Sequence, residues 1–478
     1  MPTVAEPSAP TFAVERNPKL RLIIPMTVAI GFGMEQLDTT IITTAIPAMA
    51  RTLQSTPLRM SLAVTTYVLV LAVFIPVSGW FADRFSARRV FAGALLTFTV
   101  GSVACGLAAD LPTLIAARAL QGLGGAMMTP VGRLILLRSF PREQLVTAMT
   151  YMTLPAIIGP MIGPILGGAL TTYASWRWAF FINVPFGVAG AVLALRFVAD
   201  TSEGRPRRFD FAGFLLFGLG VALLQLGLQA SGRGLAPRAM IAGVVLGAAA
   251  LFAAYGFHAR RTPLPAVDLG LFRDRAFRIG TLAGGLCRVG MNGTPFLLPL
   301  MLQVGFGLSP LTSGSLTFVG AAGALAVRPV LSRLLRGLGF DRLLIGSAVL
   351  GAAMTAGFAL LGPATPHMVI AGYVLVSGLV RSVQFMGSNT LSYADLPPEK
   401  LSGATSVGGM LQQLSVSFGV SLAAMALGFF AGPRHLLTPA HFQQAFVALG
   451  LIPLLAIPGF WALKPEDGAR VSGHIRRS

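Results

Sequence analysis

Two carboxylates stand inside the first long apolar run of this sequence, where a charged group is costly. Glu35 and Asp38 are three residues apart, so a helix places both on one face. Counted from about residue 22, they lie roughly 20 and 24 Å into a hydrocarbon core about 30 Å thick. A carboxylate at that depth costs several kcal/mol unless it is paired or protonated. The two residues are therefore candidate proton carriers, with Asp38 preferred and a static buried ion pair as the alternative.

Two arginines are placed at comparable depth. Arg118, in the fourth apolar run, reaches the depth of both carboxylates, and we expect it to share a cavity with them and to hold the acid ionised. Arg288, near the middle of the ninth run, has no acidic partner within its own part of the chain. Because guanidinium binds carboxylate and phosphate through a planar fork, Arg288 is a candidate anchor for an anionic substrate.

Other polar residues in the apolar runs allow two interpretations each. Gln121 and Asn292 are candidate substrate contacts, with a satisfied hydrogen bond between helices as the alternative. Arg328 and Arg381 lie nearer the end predicted to be cytoplasmic. They can extend to the interface or serve a gate, and their roles stay open.

The composition indicates a polytopic membrane protein that is entirely helical. Of 478 residues, 54% are apolar and 11% charged, against about a quarter charged in soluble domains. This excludes disorder, collagen and a disulfide scaffold. The net charge of +19 follows the positive-inside rule, so its expected partner is the lipid bilayer and not nucleic acid. Residues 1–20 lack a continuous apolar stretch and a cleavage site typical of signal peptides.

The apolar runs form groups of six, two and six. We predict a cytoplasmic tail over 1–20, a six-helix bundle over 21–198, and a linker with two extra membrane helices over 199–276. A second six-helix bundle spans 277–463, and a cytoplasmic tail spans 464–478. Two six-helix groups suggest a duplicated fold with its site between the halves near the midplane.

Motifs for enzyme chemistry are missing. The three lysines, Lys19, Lys400 and Lys464, follow Pro, Glu and Leu, so no phosphate-binding loop of the Walker A type exists. The five histidines show no metal-binding spacing. We therefore expect no enzyme activity, no metal and no cofactor, and an ion gradient as the energy source.

A ladder of glycines marks the fifth apolar run. Spacing of four aligns Gly159, Gly163 and Gly167 in one groove, where another helix can pack at backbone distance. Pro160 and Pro164 interrupt the ladder and bend the helix. Gly168 completes the motif.

These motifs together resemble the major facilitator superfamily, and within it the fourteen-helix drug:proton antiporter family, along essentially the whole chain. The segments that carry the resemblance are Leu37-Asp38-Thr39-Thr40 with Ala45-Ile46-Pro47, the run from Gly79 to Arg89, Arg118 to Gly124, the glycine ladder, and Trp176 to Pro185. Met34 to Asp38 and Gly124 to Arg133 are particularly similar to the MdtD-type subgroup of Gram-negative inner-membrane exporters.

The resemblance implies roles for individual residues. Asp38 would take part in coupling, Arg118 would be the cavity arginine, and the ladder would seal the interface between the halves. The loop between helices two and three would gate them through Gly79, Asp83, Arg84 and Arg88, with Ser86 where glycine is usual.

The predicted function is proton-coupled efflux of small molecules by alternating access, in a bacterial inner membrane with both termini cytoplasmic. We expect a monomer. A dedicated exporter of an organic anion such as citrate or metal–citrate is the alternative substrate class. A receptor or lipid-binding membrane protein that does not transport is the alternative function class.

Overall fold

The computed structural model describes residues 19–200, 209–231, 237–432, 437–464 and 466–472, which form helices and no strand. The first six long helices are α1 (Leu20–Ile41), α2 (Pro57–Phe74), α3 (Ala87–Leu107), α4 (Leu111–Ser139), α5 (Arg142–Tyr173) and α6 (Asn183–Phe197). Short helical continuations, Ile42–Thr44, Ile46–Thr52 and Ser78–Phe85, extend α1 and α2. Residues 1–18, which are most of the predicted N-terminal tail, and 473–478, which are part of the predicted C-terminal tail, lie outside the described residues.

Two helices stand between this group and the next, namely α7 (Phe211–Ser231) and α8 (Arg238–Ala259). They pack against each other as a hairpin. The second group contains α9 (Arg275–Asn292), α10 (Pro310–Ala326), α11 (Arg328–Ala356), α12 (His367–Ala394), α13 (Pro398–Ala431) and α14 (Pro439–Leu451). Helix α9 continues through Thr294–Leu300 and Met301–Gly305, and α14 through Ile452–Ala456 and Ile457–Trp461.

Ten helices in the described part of the chain are long and apolar enough to cross a membrane, judged by length and composition. They are α1, α2, α3, α6, α7, α8, α11, α12, α13 and α14, some with their short continuations. The all-helical polytopic fold predicted from composition is therefore confirmed, while the count of fourteen membrane helices stays a prediction.

The two helix groups repeat the same local backbone features. Positive φ angles occur at Gln54 and Ser86 in the first group and at Gly307 and Gly339 in the second, and the interval from 54 to 86 equals that from 307 to 339. The helix that starts between each pair is capped by a hydroxyl and begins with proline: Thr56 caps α2 and Ser309 caps α10. A turn conserved in position and cap indicates that the groups share one internal plan.

A buried apolar cluster joins the groups at the side predicted to be periplasmic. It contains residues from the end of α1 and from α2 and α4, together with residues from α9, α12, α13 and α14. Ile42 and Met49 belong to it from the first group, and Phe296, Met301 and Phe446 from the second. Near the same end, the Gln303 amide donates to the carbonyl oxygen of Thr44 at 3.0 Å. The chain is therefore closed on this side.

Candidate functional site

An ion pair between α1 and α4 forms the centre of the site. Arg118 Nη1 lies 2.6 Å from Asp38 Oδ2, and the two side chains are 0% and 1% exposed. A charge-assisted bond of this length between buried groups is strong. Asp38 and Arg118, placed at one depth by counting residues, are thus in direct contact.

Neutral side chains complete the coordination of Asp38. Gln121 Nε2 donates to Asp38 Oδ1 at 2.7 Å and to Ser102 Oγ at 2.8 Å, while its Oε1 accepts from Arg118 at 2.7 Å. Asn183, at the start of α6, donates to Ser102 Oγ at 3.0 Å and reaches Asp38 Oδ1 at 3.4 Å. Gln121, predicted as a substrate contact, thus has both ends of its amide engaged in this network.

Sequence reasoning missed Asn183 and Ser102 as members of the site. Ser102 gave little signal, because it is one of several hydroxyl residues in its run, with Thr97 and Thr99. Asn183 could have been found, because it lies in the segment Trp176 to Pro185 that carries the family resemblance. Arg118 has further fixed contacts: its Nε donates to the carbonyl oxygen of Ala63 at 3.2 Å, and its guanidinium carbon lies 4.1 Å from the centre of the Tyr67 ring. The cation is therefore enclosed by α2 as well as by Asp38.

Glu35 has a separate and sparser environment. Its Oε2 accepts a hydrogen bond from the Thr129 hydroxyl of α4 at 2.6 Å, and the residue is 4% exposed. Arg133, an exposed residue one turn further along α4, is a cation within electrostatic range of Glu35. Glu35 and Asp38 therefore use different partners, and Arg118 serves Asp38. Thr129 and Arg133 were not among the predicted site residues.

Arg288 is buried in α9 without a carboxylate partner. It is 5% exposed, and its Nε has no hydrogen-bond partner among the residues the structure describes. Its guanidinium carbon lies 5.8 Å from the centre of the Phe385 ring on α12, and its charge acts on Tyr393 of the same helix. Asn292, one turn along α9, is half-buried where α9 packs on Gly419 of α13.

The glycine ladder packs α5 on two partners. A Cβ at Gly159 would lie 3.0 Å from Gln36, and one at Gly163 or Gly167 would collide with Thr40 or with the carbonyl oxygen of Ile41, all on α1. Gly168 faces α10 of the second group, where a Cβ would collide with the backbone of Pro310. The Pro164 carbonyl contacts Gly314 of α10 in the same way. The ladder thus forms a seam within the first group and borders a seam between the groups.

The loop between α2 and α3 contacts its own group. Asp83 Oδ1 accepts from Arg138 at the end of α4 at 3.0 Å, and Arg88 pairs with Asp200 at 2.7 Å. Arg84 is exposed, and a Cβ at Gly79 would meet nothing within 4 Å. In this conformation, the ion pairs of the described loop residues hold the loop to the first group.

A cavity of about 770 Å³ opens at the end predicted to be cytoplasmic, between α1 and the α4–α5 connection. Its lining includes Lys19, Arg21, Phe140 and Tyr151. None of the predicted coupling residues lines this cavity. Within the described residues, no group of three or more His, Cys, Asp or Glu side chains is arranged to hold a metal ion.

The bundle of apolar helices, with buried charges between its first and fourth members, defines a polytopic membrane transporter. A sequence model described as Major Facilitator Superfamily matches residues 28–420. The chain belongs to this superfamily, and it is a transporter and not an enzyme.

Individual proteins are similar to this chain along nearly its whole length. The chain is 41% identical over 455 residues to multidrug resistance protein MdtD of Pectobacterium carotovorum subsp. carotovorum (strain PC1), covering 94% of this chain and 97% of the relative. It is 40% identical over 450 residues to the protein of that name from Escherichia coli (strain 55989 / EAEC), covering 92% and 94%.

A solved bacterial homologue of the human lysosomal transporter Spinster, inward-facing and unoccupied, shares the fold. Its TM-score is 0.65 at 16% identity, covering 92% of this chain and 96% of that one.

Proposed function

We propose that this protein exports small molecules in exchange for protons by alternating access. The observation that carries the proposal is the set of buried carboxylates on α1, with Asp38 paired to Arg118 and Glu35 bound to Thr129. Ionisable groups at membrane depth mark proton relays. Relatives named for multidrug resistance support drugs as the cargo.

The contacts favour Glu35 over Asp38 as the residue that exchanges the proton, which reverses the preference drawn from sequence. Protonating Asp38 would leave Arg118 as an uncompensated cation at 0% exposure, and removing one partner of a buried pair costs about 3–5 kcal/mol. Protonating Glu35 leaves Arg133, whose side chain is exposed and is not enclosed by protein as Arg118 is. The Thr129 hydroxyl can donate to the ionised carboxyl or accept from the protonated one. Asp38 and Arg118 then form the fixed support of the site.

The moving units in this proposal are the bundles over 21–198 and 277–463, joined by the segment 199–276. Their repeated turns at 54 and 86 and at 307 and 339 support the division. We place both termini in the cytoplasm of a bacterium, with the protein in the inner membrane and the apolar cluster on the periplasmic side. The Asp83 and Arg88 loop and the seam between α5 and α10 would then open and close in alternation.

The test is transport by purified protein in proteoliposomes under an imposed pH difference, with ethidium as the probe. We expect the wild type to accumulate ethidium against its gradient and Glu35→Gln to lose at least about 90% of that uptake, because the proton carrier is gone. Asp38→Asn should lose transport through destabilisation as well, seen as a lower melting temperature, whereas Glu35→Gln should melt normally. Full gradient-driven uptake by Glu35→Gln would contradict the proposal. Glu399→Gln, an exposed carboxyl at the start of α13, is the matched control.

A second candidate, export of an organic anion such as citrate, is supported by one observation. Arg288 is buried with an unpaired Nε, and a carboxylate group would satisfy it. Counterflow of citrate through the same proteoliposomes, lost in Arg288→Ala while ethidium counterflow persists, would identify this activity.

A further inference from the structure

Glu35 and Arg288 occupy corresponding positions in the two helix groups. Each stands the same number of residues before the hydroxyl that caps the next helix, Thr56 for Glu35 and Ser309 for Arg288. Ser86 and Gly339, the positive-φ residues that follow these caps, also lie equally far along the chain from Glu35 and from Arg288. Because α1 and α9 are the first helices of their groups, equal register places both side chains at about the same depth.

The contacts of these two side chains correspond as well. Glu35 contacts Thr129 on α4, and Arg288 lies against Phe385 on α12. Thr129 lies as many residues after Leu111, where α4 begins, as Phe385 lies after His367, where α12 begins. Glu35 and Arg288 therefore share a register, and each faces the corresponding helix of its own group, α4 for Glu35 and α12 for Arg288.

One cation, Arg133 of α4, lies within electrostatic range of groups in both halves. The exposed Arg133 side chain acts on Glu35 of α1 and on Tyr393 of α12, and Tyr393 is also acted on by Arg288. No direct ion pair joins Glu35 to Arg288 in this conformation among the described side chains. The first half thus contributes an acid with one hydroxyl partner, and the second half contributes a buried cation whose Nε has no hydrogen-bond partner among the described residues.

We propose that Glu35 and Arg288 are the two poles of one central binding site and that the cargo is a zwitterionic amphiphile. Its anionic group pairs with the Arg288 fork, and its cationic group pairs with ionised Glu35. Arg288 needs a ligand more than Arg118 does. Arg118 also has one unpartnered nitrogen, Nη2, but it is paired with Asp38, whereas Arg288 has no carboxylate partner among the described residues and an unmade hydrogen bond at Nε, a desolvation cost that a carboxylate removes. This inference rests on the proposed function and specifies its substrate class.

The two poles give the exchange a physical basis. A proton that reaches Glu35 neutralises the acid pole and releases the cationic group of the cargo. Loss of that proton to the cytoplasm restores the pole for the next molecule. Cargo and proton therefore compete for one carboxylate, whereas Arg288 keeps its charge throughout and holds only the anionic end.

The test is equilibrium binding to purified protein in detergent, with ciprofloxacin as the zwitterionic probe and its methyl ester as the matched cation. We expect the wild type to bind ciprofloxacin at least about tenfold more tightly than the ester. Arg288→Gln should remove that difference by weakening only ciprofloxacin, and Arg288→Lys should restore part of it. Glu35→Gln should weaken both probes and remove the pH dependence of binding. Arg59→Gln, an exposed arginine at the start of α2, should keep the wild-type ratio.

Three results would overturn the inference: equal binding of both probes by the wild type, an unchanged ratio in Arg288→Gln, or citrate binding as tightly as ciprofloxacin. These measurements use no proton gradient. If binding follows the expectation and gradient-driven uptake is absent, the proposed antiport fails alone. If uptake occurs and Arg288→Gln leaves the ratio unchanged, the two-pole site fails alone.

Discussion

At the scale of residues, the two carboxylates of α1 differ in how tightly they are held. Asp38 accepts from Arg118 and Gln121 at 2.6 and 2.7 Å, with Asn183 nearby, whereas the recorded hydrogen-bond donor to Glu35 is one hydroxyl. A saturated, buried and charge-paired group resists a change of protonation, and a sparsely held one permits it. Burial alone does not distinguish them, because both are almost fully enclosed.

A second feature at this scale is strained backbone at Ser86. Its φ of 74° and ψ of 136° lie in a region that glycine adopts freely, and the corresponding turn of the second group carries Gly339. We expect Ser86→Gly to raise the melting temperature, because it relieves strain of about 1–3 kcal/mol. Thermal unfolding in detergent measures the effect. Gly339→Ser should lower the melting temperature by the same reasoning, and a destabilised Ser86→Gly would contradict this account.

At the scale of elements, the hairpin of α7 and α8 is bonded to both helix groups. Gln225 of α7 donates to Ser421 of α13, and Gln229 donates to Thr65 of α2 at 2.9 Å. Since α2 and α13 also pack on each other, the hairpin lies along a seam between the groups. Its position suits an element that must follow both halves as they move.

The base of the hairpin depends on Asp210. Burial raises the pKa of this carboxyl, but hydrogen bonds from the Gly213 N–H, His258 and the Ala266 N–H outweigh burial and leave the pKa below its usual value. The stability it contributes is therefore fully present above about pH 4 and is lost as the pH falls through the lower folded-state pKa.

We expect Asp210→Asn to lower the melting temperature at pH 7, by the loss of about 1 kcal/mol of capping at the start of α7, and to differ less from the wild type at pH 3. Thermal unfolding at both pH values measures this. An equal deficit at both would show that the carboxyl charge is irrelevant. Glu399→Gln again serves as the control.

At the scale of the whole molecule, the described conformation is closed on the side predicted to be periplasmic. Apolar residues of both groups form one cluster there, and Gln303 donates to Thr44 across the seam. The glycine contacts of α5 with α10 bring the backbones of the two groups together. Alternating access requires these contacts to separate.

A cross-link across that seam should therefore stop transport. We expect Thr43→Cys with Gln303→Cys, two half-buried positions beside the bond from Gln303 to the Thr44 carbonyl, to lose nearly all ethidium uptake when a bifunctional disulfide-containing thiol reagent bridges them, and to regain it after reduction. The native thiols Cys105 and Cys287 are buried at 0% exposure, so we expect the reagent not to react with them. Each single variant treated in the same way should keep transporting. Full transport by the cross-linked double variant would mean that the seam does not open.

The sequence alone determined the membrane fold and the close packing along the glycine ladder, and it predicted the depth of the charged residues. These follow from counting, because a helix rises 1.5 Å per residue and repeats its faces at fixed intervals. It also indicated that Asp38 and Arg118 lie at the same depth in the membrane. Only the tertiary structure decided that Gln121, Asn183 and Ser102 hold Asp38 in place, that Glu35 binds Thr129, and that Arg288 has an unpaired Nε. Partners that lie far apart in the chain meet through helix packing and rotation, which local spacing does not specify.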